Sequence, residues 1–399
     1  MKKLIAMAMA GVMALSLVAC GGGSSSAGQA GGSSAAAGGS SAAGETSGEA
    51  VKLAFITDTG NIDDHSFNQY SYEGVTSFAE ANGFEANYFR PADDSDADRI
   101  DAITQAVNDG AKVVVMAGYL FAPALYTVQE QFPDVQFLAL DVGTTDMLGA
   151  GGVDTSAADF NIEDYNIADY VGDNVALITY QEEQAGYLAG YATVKDGYTK
   201  LGFLGGIAVP AVVRYGYGFV QGAEAAAEEM GVDVSMKYWY SGSFTANDDI
   251  KARMDSWYAD GTEVIFSCGG GIYSSAISAA EASANGGKII GVDVDQSADG
   301  EMVITSATKA LAHSVELALT DCMNNGWQWT DTYAAKETKL GAADECVALP
   351  METSKFNTFD QAQYDELYAK LLDGSVTVDD NSDPATHPST TKVTVDWQE

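Results

Sequence analysis

The stretch VKLAFITDTGNIDDHSFNQYSYEGVTSFAEANG, residues 51–83, decides how the rest of the chain is interpreted. Residues 52–57 predict a buried strand, because four of the six are apolar and an acidic, glycine-containing turn follows. From Ser66 onward, apolar and aromatic side chains recur every three or four residues, which is typical of one helix face. Strand, polar turn and helix together begin an α/β unit. Ligands of open α/β sheets bind at the carboxyl ends of strands, so residues 58–68 are a candidate binding loop, although Asp and Asn also serve turns and helix caps.

The first fifty residues indicate export and attachment. Residues 1–19 combine Lys2 and Lys3 with an apolar run too short to span a membrane comfortably, which is typical of a signal peptide. The run ends in LVAC, which resembles the lipobox of bacterial lipoproteins, so Cys20 is expected to carry the lipid. The alternative is an ordinary secretory signal with an incidental cysteine. Residues 20–50 are almost entirely Gly, Ser and Ala and predict a flexible tether that reaches roughly 30 Å.

The body beyond the tether is long and acidic. It is longer than one hydrophobic core usually supports, so two lobes are expected. The net charge of the 399-residue chain is −38, and such a charge argues against nucleic acid or anionic lipid as a partner, because both would be repelled.

Cysteine and histidine usage gives no sign of a catalytic or metal site. With Cys20 assigned to the lipid, Cys268, Cys322 and Cys346 remain without CxxC spacing, and a bridge between Cys322 and Cys346 stays open. The three histidines are scattered, so no Ser-His-Asp or Cys-His arrangement is indicated. The GxGxxG phosphate fingerprint does not follow the first strand. We therefore predict a protein that is not an enzyme and that needs no cofactor.

Strands alternate with helices along the whole body, which indicates parallel sheets covered on both faces. Further strands are predicted at residues 85–89, 112–117, 135–142, 200–204, 234–240, 263–267, 288–293 and 302–305. Helices are predicted at residues 97–108, 122–131, 182–195, 214–230, 247–258, 273–285, 307–323 and 360–372. Two successive series suggest two similar lobes, although no residue-level repeat is visible. Residues 376–399 are expected to form an acidic tail with little order.

Several separated motifs in this order resemble those of the basic membrane protein family. They are Asp58 and Gly60, DDHSFNQ at residues 63–69, Glu73-Gly74, Gly205-Gly206 with Pro210, GFVQG at residues 218–222, GVDVDQ at residues 291–296, and Ser306 ahead of Lys309. Members of this family are lipoprotein substrate-binding components of ABC importers, and their characterised type is a purine nucleoside receptor. The resemblance covers roughly residues 51 to 375.

The resemblance implies an α/β, type I periplasmic-binding-protein fold. Two Rossmann-like lobes would be joined by three hinge crossovers and would close on a ligand as a clamp. The crossovers are expected near Tyr180, near Ser306 and in residues 329–333. The first lobe would comprise residues 51–180 and 307–329, and the second residues 181–306 and 330–375.

The resemblance also implies the function. The protein would be a monomer held outside the cytoplasm on the cell membrane by its N-terminal lipid. It would bind a purine nucleoside between its lobes and deliver it to an ABC permease with its ATPase.

Two rings are expected on the flat base of such a ligand. Phe67 matches the family position that stacks on the base, and its alternative role is a core aromatic at a helix start. Tyr215 is our choice for the opposing ring, where the family pattern has phenylalanine, and Tyr217 competes with it. Gly270, the middle of three glycines, is expected to let the backbone approach the ligand, or simply to make a turn.

Five polar residues match further ligand positions of the family. Asp58 and Asn68 are expected to read polar atoms of the base or to anchor the loop. Asp141 is expected on the ligand, and Asp293 is assigned to the ribose hydroxyls. Lys309 is expected to reach the ligand or to pair with one of these acids. Asp at a strand end is otherwise a common cap or turn residue.

Three other functions remain open from the sequence. The same clamp can bind another small molecule, such as a sugar or a flavin precursor, and it can serve a sensor that does not transport. DTGNIDD at residues 58–64 also resembles the DTDPGIDD calcium-binding turn of nucleoside hydrolases, but Gly60 replaces the second acid of that turn.

Overall fold

Two β-sheets, one of six strands and one of seven, form the framework of the molecule. The structure is a computed structural model that describes residues 51–157 and 159–398. The predicted signal peptide, the lipid site at Cys20 and the tether therefore lie outside the described residues. All described residues belong to one compact unit.

The first half of the body alternates strictly between strand and helix. Its elements are β1 (Lys52–Ile56), α1 (Phe67–Asn82), β2 (Glu85–Phe89), α2 (Asp96–Asn108), β3 (Ala111–Ala117), α3 (Ala122–Gln131), β4 (Gln136–Leu140), α4 (Thr144–Ala150) and β5 (Val175–Tyr180).

The second half repeats this alternation and then adds five elements. It contains α5 (Glu182–Lys195), β6 (Lys200–Gly205), α6 (Pro210–Met230), β7 (Val234–Tyr240), α7 (Asp248–Ala259), β8 (Val264–Cys268), α8 (Tyr273–Ala282), β9 (Lys288–Asp293) and β10 (Val303–Lys309). The added elements are α9 (Leu311–Asn324), β11 (Lys336–Leu340), β12 (Val347–Ala348), α10 (Gln361–Leu372) and β13 (Val393–Gln398).

Both sheets have the same strand order. The first runs β2-β1-β3-β4-β5-β11 and is parallel throughout. The second runs β7-β6-β8-β9-β10-β12, with β12 antiparallel and β13 added beside β7. The internal repeat that the sequence does not show is therefore present in the topology. We call the first sheet with its helices the first lobe and the second sheet with its helices the second lobe.

Each sheet is buried on both faces, as the apolar runs predict. Leu53 and Phe55 of β1 pack with α1 and α9, whereas Ala54 and Ile56 pack with α2 and α3. In the second lobe, α5, α6 and α10 cover one face and α7 and α8 cover the other. Helix α9 thus returns to the first lobe.

Local sequence explains where several helices begin and end. Ser95, Asn247 and Asp360 each accept a hydrogen bond from a backbone N–H in the first turn of the helix that follows. Helices α1 and α6 end at Gly83 and Gly231, which have the left-handed φ angles of 71° and 68° that glycine adopts without strain.

The closest helix pair of the second lobe is built from glycines. Gly186 and Gly190 of α5 face Gly218 and Gly222 of α6, and a Cβ added to any of them would lie 2.0 to 2.2 Å from a backbone oxygen of the other helix. The stretch GFVQG is therefore a packing motif in the structure. This contact fixes the starts of α5 and α6 relative to each other.

The chain passes between the sheets three times, at Gln181, at Ala310 and between β11 and β12. The prediction of the third pass at residues 329–333 is wrong, because Lys336–Leu340 pair with β5 in the first sheet. The sequence of β11, KETKL, is mostly polar because this strand lies at a sheet edge. The spacing of apolar residues therefore did not predict a strand here.

Two further predictions need correction. Helix α9 begins at Leu311 rather than at residue 307, because residues 307–309 complete β10 by pairing with β9 and β12. The prediction that residues 376–399 have little order is wrong for the end of the tail, because Val393–Gln398 form β13 and Trp397 packs on Tyr238. Glu224 of α6 accepts the backbone N–H groups of residues 391–393, and these bonds hold the tail in place.

The cysteines within the described residues are not bridged. Cys268, Cys322 and Cys346 are all free and buried, so the possible Cys322–Cys346 bridge is not formed. Among residues 51–157 and 159–398, no helix has both the length and the apolar character required to cross a membrane.

Candidate functional site

A cavity of about 720 Å³ lies between the two lobes at the carboxyl ends of their strands. The structure brings all eight residues predicted for the site to its wall: Asp58, Phe67, Asn68, Asp141, Tyr215, Gly270, Asp293 and Lys309. Residues 58–68 supply the largest single part of the first lobe's wall. The strand ends thus gather residues that are far apart in the sequence.

Two aspartates occupy matching places in the two lobes. Asp141 follows β4 and Asp293 ends β9, and these strands hold the same position in their sheets. Both residues have left-handed backbone, with φ of 56° and 67°, which Asp tolerates better than most side chains. The same turn is therefore used twice to place a carboxylate in the cleft.

Lys309 joins the two aspartates. Its Nζ lies 2.6 Å from Asp141 Oδ2 and 3.8 Å from Asp293 Oδ1, and its side chain is only 2% exposed. The ammonium also lies 3.4 Å from Oε1 of the buried Glu182, whose Oε2 accepts a 2.7 Å bond from Arg214 Nε. Burial of charge is tolerated when the charges are paired in this way.

This network shifts the protonation of its members. Burial raises the pKa of Asp141 to about 6, although Lys309 opposes the shift. Burial likewise raises the pKa of Asp293, against the effects of Lys309 and Ser66. Burial alone would raise the pKa of Glu182, but Arg214 and Lys309 together hold it below its usual value.

The Lys309 ammonium keeps its charge at neutral pH. Burial would lower its pKa, but Asp141, Glu182 and Asp293 raise the pKa above its usual value. The cleft therefore contains a fixed cation among three carboxylates.

Aromatic rings from both lobes surround the ammonium. The Nζ of Lys309 lies 4.7 Å from the ring centre of Phe67, 4.9 Å from that of Tyr180 and 5.9 Å from that of Tyr215. Phe67 begins α1 in the first lobe and Tyr215 lies on α6 in the second. Tyr217, the competing ring, is not among the described residues that line the cavity.

Two polar atoms of the cavity residues are buried without a hydrogen-bond partner among the described residues. They are Asp141 Oδ1 and Tyr215 Oη, one from each lobe. Buried polar groups are rarely left unpaired, because each one costs about 1–3 kcal/mol. Both residues line the cavity, which makes these atoms candidate partners for a polar ligand.

The loop after β1 is held by its own side chains. Asp58 Oδ1 accepts bonds from the Gly60 N–H at 2.7 Å and from Asn68 Nδ2 at 3.0 Å. Burial raises the pKa of Asp58 to about 6, and these two bonds oppose the shift. Asp64 accepts backbone N–H groups of Ser66 and Asn68 and so takes the capping role at the start of α1. Asp58 and Asn68 thus anchor the loop as well as facing the cavity.

Gly270 contributes backbone to the second lobe's wall. Its φ of 54° is left-handed, and a Cβ added to it would meet no atom within 4 Å. The position therefore favours glycine for its backbone rather than for lack of space.

Besides the bond from Lys309 to Asp141, two hydrogen bonds cross from lobe to lobe between the quoted motifs. Ser66 Oγ donates to Asp293 Oδ2 at 2.7 Å, and Gln296 Nε2 donates to the carbonyl oxygen of His65 at 3.1 Å. The motifs DDHSFNQ and GVDVDQ therefore contact each other, which the sequence did not suggest.

Sequence reasoning missed four residues of this site. Glu182 begins α5 and Arg214 is the fifth residue of α6, and neither carried a signal beyond helix periodicity. Ser66 and Gln296 lie inside quoted motifs, so the motifs themselves were the available signal. Within the described ranges, no three His, Cys, Asp or Glu side chains are placed to hold a metal ion.

The sequence is similar to a known family of transport proteins. A family model described as ABC transporter substrate-binding protein PnrA-like matches residues 51–381. The chain is 28% identical to the ABC transporter nucleoside-binding protein BmpA of Lactococcus lactis subsp. cremoris, across 64% of this chain and 68% of that protein. It is 25% identical to basic membrane protein A1 of Borrelia garinii, across 85% and 91% of the two chains.

Solved structures show the same architecture. An ABC transporter solute-binding protein from Aeropyrum pernix K1 superposes with a TM-score of 0.67 at 20% identity, across 84% of this chain and 94% of that one. A similar protein from Conexibacter woesei gives a TM-score of 0.61 at 23% identity, across 83% and 99%. The predicted periplasmic-binding-protein fold is therefore confirmed. With the family match over most of its body, this chain belongs to the Bmp family of PnrA-like ABC transporter substrate-binding proteins.

Proposed function

We propose that this substrate-binding protein takes a purine nucleoside into the cleft and delivers it to an ABC permease. The observation that carries the proposal is the pair of unpartnered buried atoms, Asp141 Oδ1 and Tyr215 Oη, which belong to residues of the two lobes that line one cavity. A nucleoside offers hydroxyl donors for the carboxylate and ring or carbonyl acceptors for the phenol. The Lactococcus relative is named as a nucleoside-binding protein, which supports the same ligand class.

The residues divide between the two ends of a nucleoside. Phe67 and Tyr215 hold the flat base between rings from the two lobes. Asp293 accepts the ribose hydroxyls, and Asp141 and Lys309 bind on the same side. Two carboxylates near one ammonium suit a neutral, hydroxyl-rich group, because an added anion would meet uncompensated negative charge.

The base edge is read from the first lobe. Asp58 and Asn68 present an acceptor and an amide beside the loop of residues 58–64, and Gly270 brings backbone from the second lobe. The Asp58 carboxylate accepts base N–H groups in its ionised form, which predominates at neutral pH because its pKa is about 6.

Anchoring and partners complete the proposal. Cys20 carries the lipid that holds a monomeric body at the outer face of the cell membrane, and the closed clamp docks on the permease. Replacement of Cys20 by Ala should release the protein from membranes of expressing cells while leaving ligand affinity unchanged.

The direct test is calorimetry of the purified protein, refolded to remove carried-over ligand. Adenosine, guanosine, inosine, uridine, ribose and riboflavin are titrated in turn. Purine nucleosides should bind tightly, with affinity abolished in Asp293→Ala and weakened in Phe67→Ala. Asp255→Asn changes a partly exposed acid of α7 that pairs with Lys251. It is the control and should bind as the wild type does.

Other outcomes separate the alternatives. Binding of ribose or riboflavin alone would replace the nucleoside by a sugar or flavin ligand. Calcium-dependent cleavage of the nucleoside would indicate a hydrolase. Normal nucleoside uptake after deletion of the protein would favour a sensor over an importer.

A further inference from the structure

The donors of the two bonds that join the quoted motifs across the cleft do not line the cavity, whereas their acceptors lie on Asp293 and His65, which do. Neither Ser66 nor Gln296 is among the lining residues of the described chain, although Phe67 and Asp293 are. Both residues are buried. They therefore contact the opposite lobe rather than the space that a ligand would occupy.

The hydroxyl of Ser66 is not needed by its own helix. Ser66 occupies the N-cap position of α1, yet its side chain makes no capping bond, because Asp64 accepts the N–H groups there. The hydroxyl is thus free to donate to Asp293 in the second lobe at 2.7 Å.

Gln296 is held in place by its own lobe. Its Oε1 accepts the Val292 N–H at 3.0 Å, and its backbone N–H donates to Ser306 Oγ at 3.1 Å. A Cβ on Gly291 would lie 2.4 Å from Oε1, so only glycine there leaves room for the amide. This packing aims Nε2 at the carbonyl oxygen of His65, whose φ is a left-handed 53°.

We propose that Ser66 and Gln296 form a latch between the lobes and slow the release of the bound ligand. The latch joins the motif at residues 63–69 to the motif at residues 291–296, and both bonds break when the lobes separate. They are positioning residues that act through the closed clamp, and Asp293 serves the latch and the ligand with different oxygens. The ligand named here rests on the proposed function.

The effect of the latch should fall on dissociation. A hydrogen bond to a carboxylate contributes enough that its loss raises a rate of opening roughly tenfold or more. Association requires only the open clamp, so its rate should change little.

The experiment compares Ser66→Ala with Ser66→Thr, which keeps the hydroxyl. Guanosine is the probe, and its dissociation rate is measured by stopped flow. Release should be about tenfold faster from Ser66→Ala and near the wild-type rate from Ser66→Thr. Ser95→Ala is the matched control, because Ser95 caps α2 away from the cleft. Ser95→Ala should lower the free energy of unfolding without changing the rate of guanosine release. Ser66→Ala should raise the rate of release without lowering the free energy of unfolding.

A second measurement does not depend on the identity of the ligand. Amide hydrogen exchange of peptides that cover residues 63–69 and 291–299 should be several-fold faster in Ser66→Ala than in Ser66→Thr in the protein as purified. Equal exchange in the two variants would overturn the latch, and so would equal release of guanosine. Failure of the wild type to bind any nucleoside would overturn the proposed ligand instead, and exchange alone would then decide on the latch.

Discussion

Lys309 sets the electrostatics of the cleft. It is the last residue of β10, so a short step in the backbone separates it from the pass to the first lobe. Its ammonium balances carboxylates from both lobes, and without it Asp141, Glu182 and Asp293 would repel one another in a poorly hydrated space. One side chain thus makes the approach of the two lobes electrostatically favourable.

The hydroxyl of Tyr215 permits a test in which stability and affinity change in opposite directions. Tyr215→Phe removes a buried donor without a described partner, so the free energy of unfolding of the ligand-free protein should rise by about 1 kcal/mol. The same change should weaken nucleoside binding about tenfold, because the ligand loses a hydrogen bond. Denaturant unfolding and calorimetry measure the two effects.

Tyr217→Phe is the control for that prediction. Tyr217 lies two residues away on the same helix but outside the cavity wall, so its change should alter neither quantity noticeably. Reduced stability of Tyr215→Phe would show that its hydroxyl has a partner in the folded protein.

Asp58 should make stability depend on pH between about 4 and 6. Its pKa is raised from 3.8 to about 6, so the folded protein binds the proton more tightly than the unfolded chain does. The stabilisation from this proton is complete below pH 4 and is lost as the pH rises through 6. Asp58→Asn removes this titrating group. The free energy of unfolding of the wild type minus that of the variant should therefore fall by about 2 kcal/mol across this pH range.

The measurement is urea unfolding at a series of pH values. Asp141 titrates in the same window but is present in both proteins, so the difference isolates Asp58. Asp373→Asn serves as the control, because hydrogen bonds from Ser375 lower the pKa of Asp373. The difference in free energy of unfolding between the wild type and this variant should therefore be constant above pH 4. A wild-type minus Asp58→Asn difference that does not change with pH would mean that the Asp58 carboxyl group of the wild type is well solvated.

At the scale of elements, the contact between α5 and α6 places much of the second lobe's wall. The glycines let the two backbones touch, and this contact sets Glu182 at the start of α5 beside Arg214 and Tyr215 of α6. The strand ends act in the same way, since β4 and β9 deliver Asp141 and Asp293 by the same left-handed turn. Positions along elements, rather than loop conformations, therefore fix the polar groups.

Gly218→Ala should destabilise the protein strongly. The added Cβ would lie 2.0 Å from the backbone oxygen of Glu183, and neither helix can yield because both are packed along their length. We expect a loss of at least about 3 kcal/mol in the free energy of unfolding, measured with urea.

A helical glycine in open space provides the comparison. Gly149 of α4 has its nearest neighbour, Thr155 Oγ1, 3.8 Å from an added Cβ. Gly149→Ala should be neutral or stabilise by about 0.5 kcal/mol, because alanine favours the helix. Similar losses in both variants would show that the helix contact is not the cause.

At the scale of the whole molecule, the large negative charge opposes the compact state. With a net charge of −38, the carboxylates repel one another more in the folded body than in the extended chain. The 57 acidic residues outnumber the 19 basic residues, so the chain has too few cations to compensate most of its carboxylates. The acidic surface and the paired cleft are therefore separate features with different consequences.

Salt should stabilise the protein at neutral pH. Raising NaCl from about 10 to about 150 mM shortens the Debye length from about 30 to about 8 Å and should raise the melting temperature by several degrees. The control is the same pair of salt concentrations near pH 4.1, the isoelectric point, where little net charge remains to be screened. Equal salt effects at the two pH values would exclude self-repulsion as the cause.

Local patterns in the sequence determined the main elements of the fold. Apolar runs such as LAFI and three- to four-residue spacings mark most strands and helices, because burial on both faces of a sheet requires them. The signals were absent where burial is partial, so the edge strand β11 and the tail strand β13 were not predicted. The family resemblance supplied eight candidate residues, and all eight line one cavity in the structure.

Only the tertiary structure decided how those residues are used. Glu182 and Arg214 look like ordinary helix residues until two helices meet through glycine, and Ser66 looks like an N-cap until Asp64 takes that role. Such partners lie more than a hundred residues apart in several cases, as Ser66 and Asp293 do. Local sequence specifies which backbone forms, whereas pairing across a cleft depends on the packing of whole lobes, which no short stretch encodes.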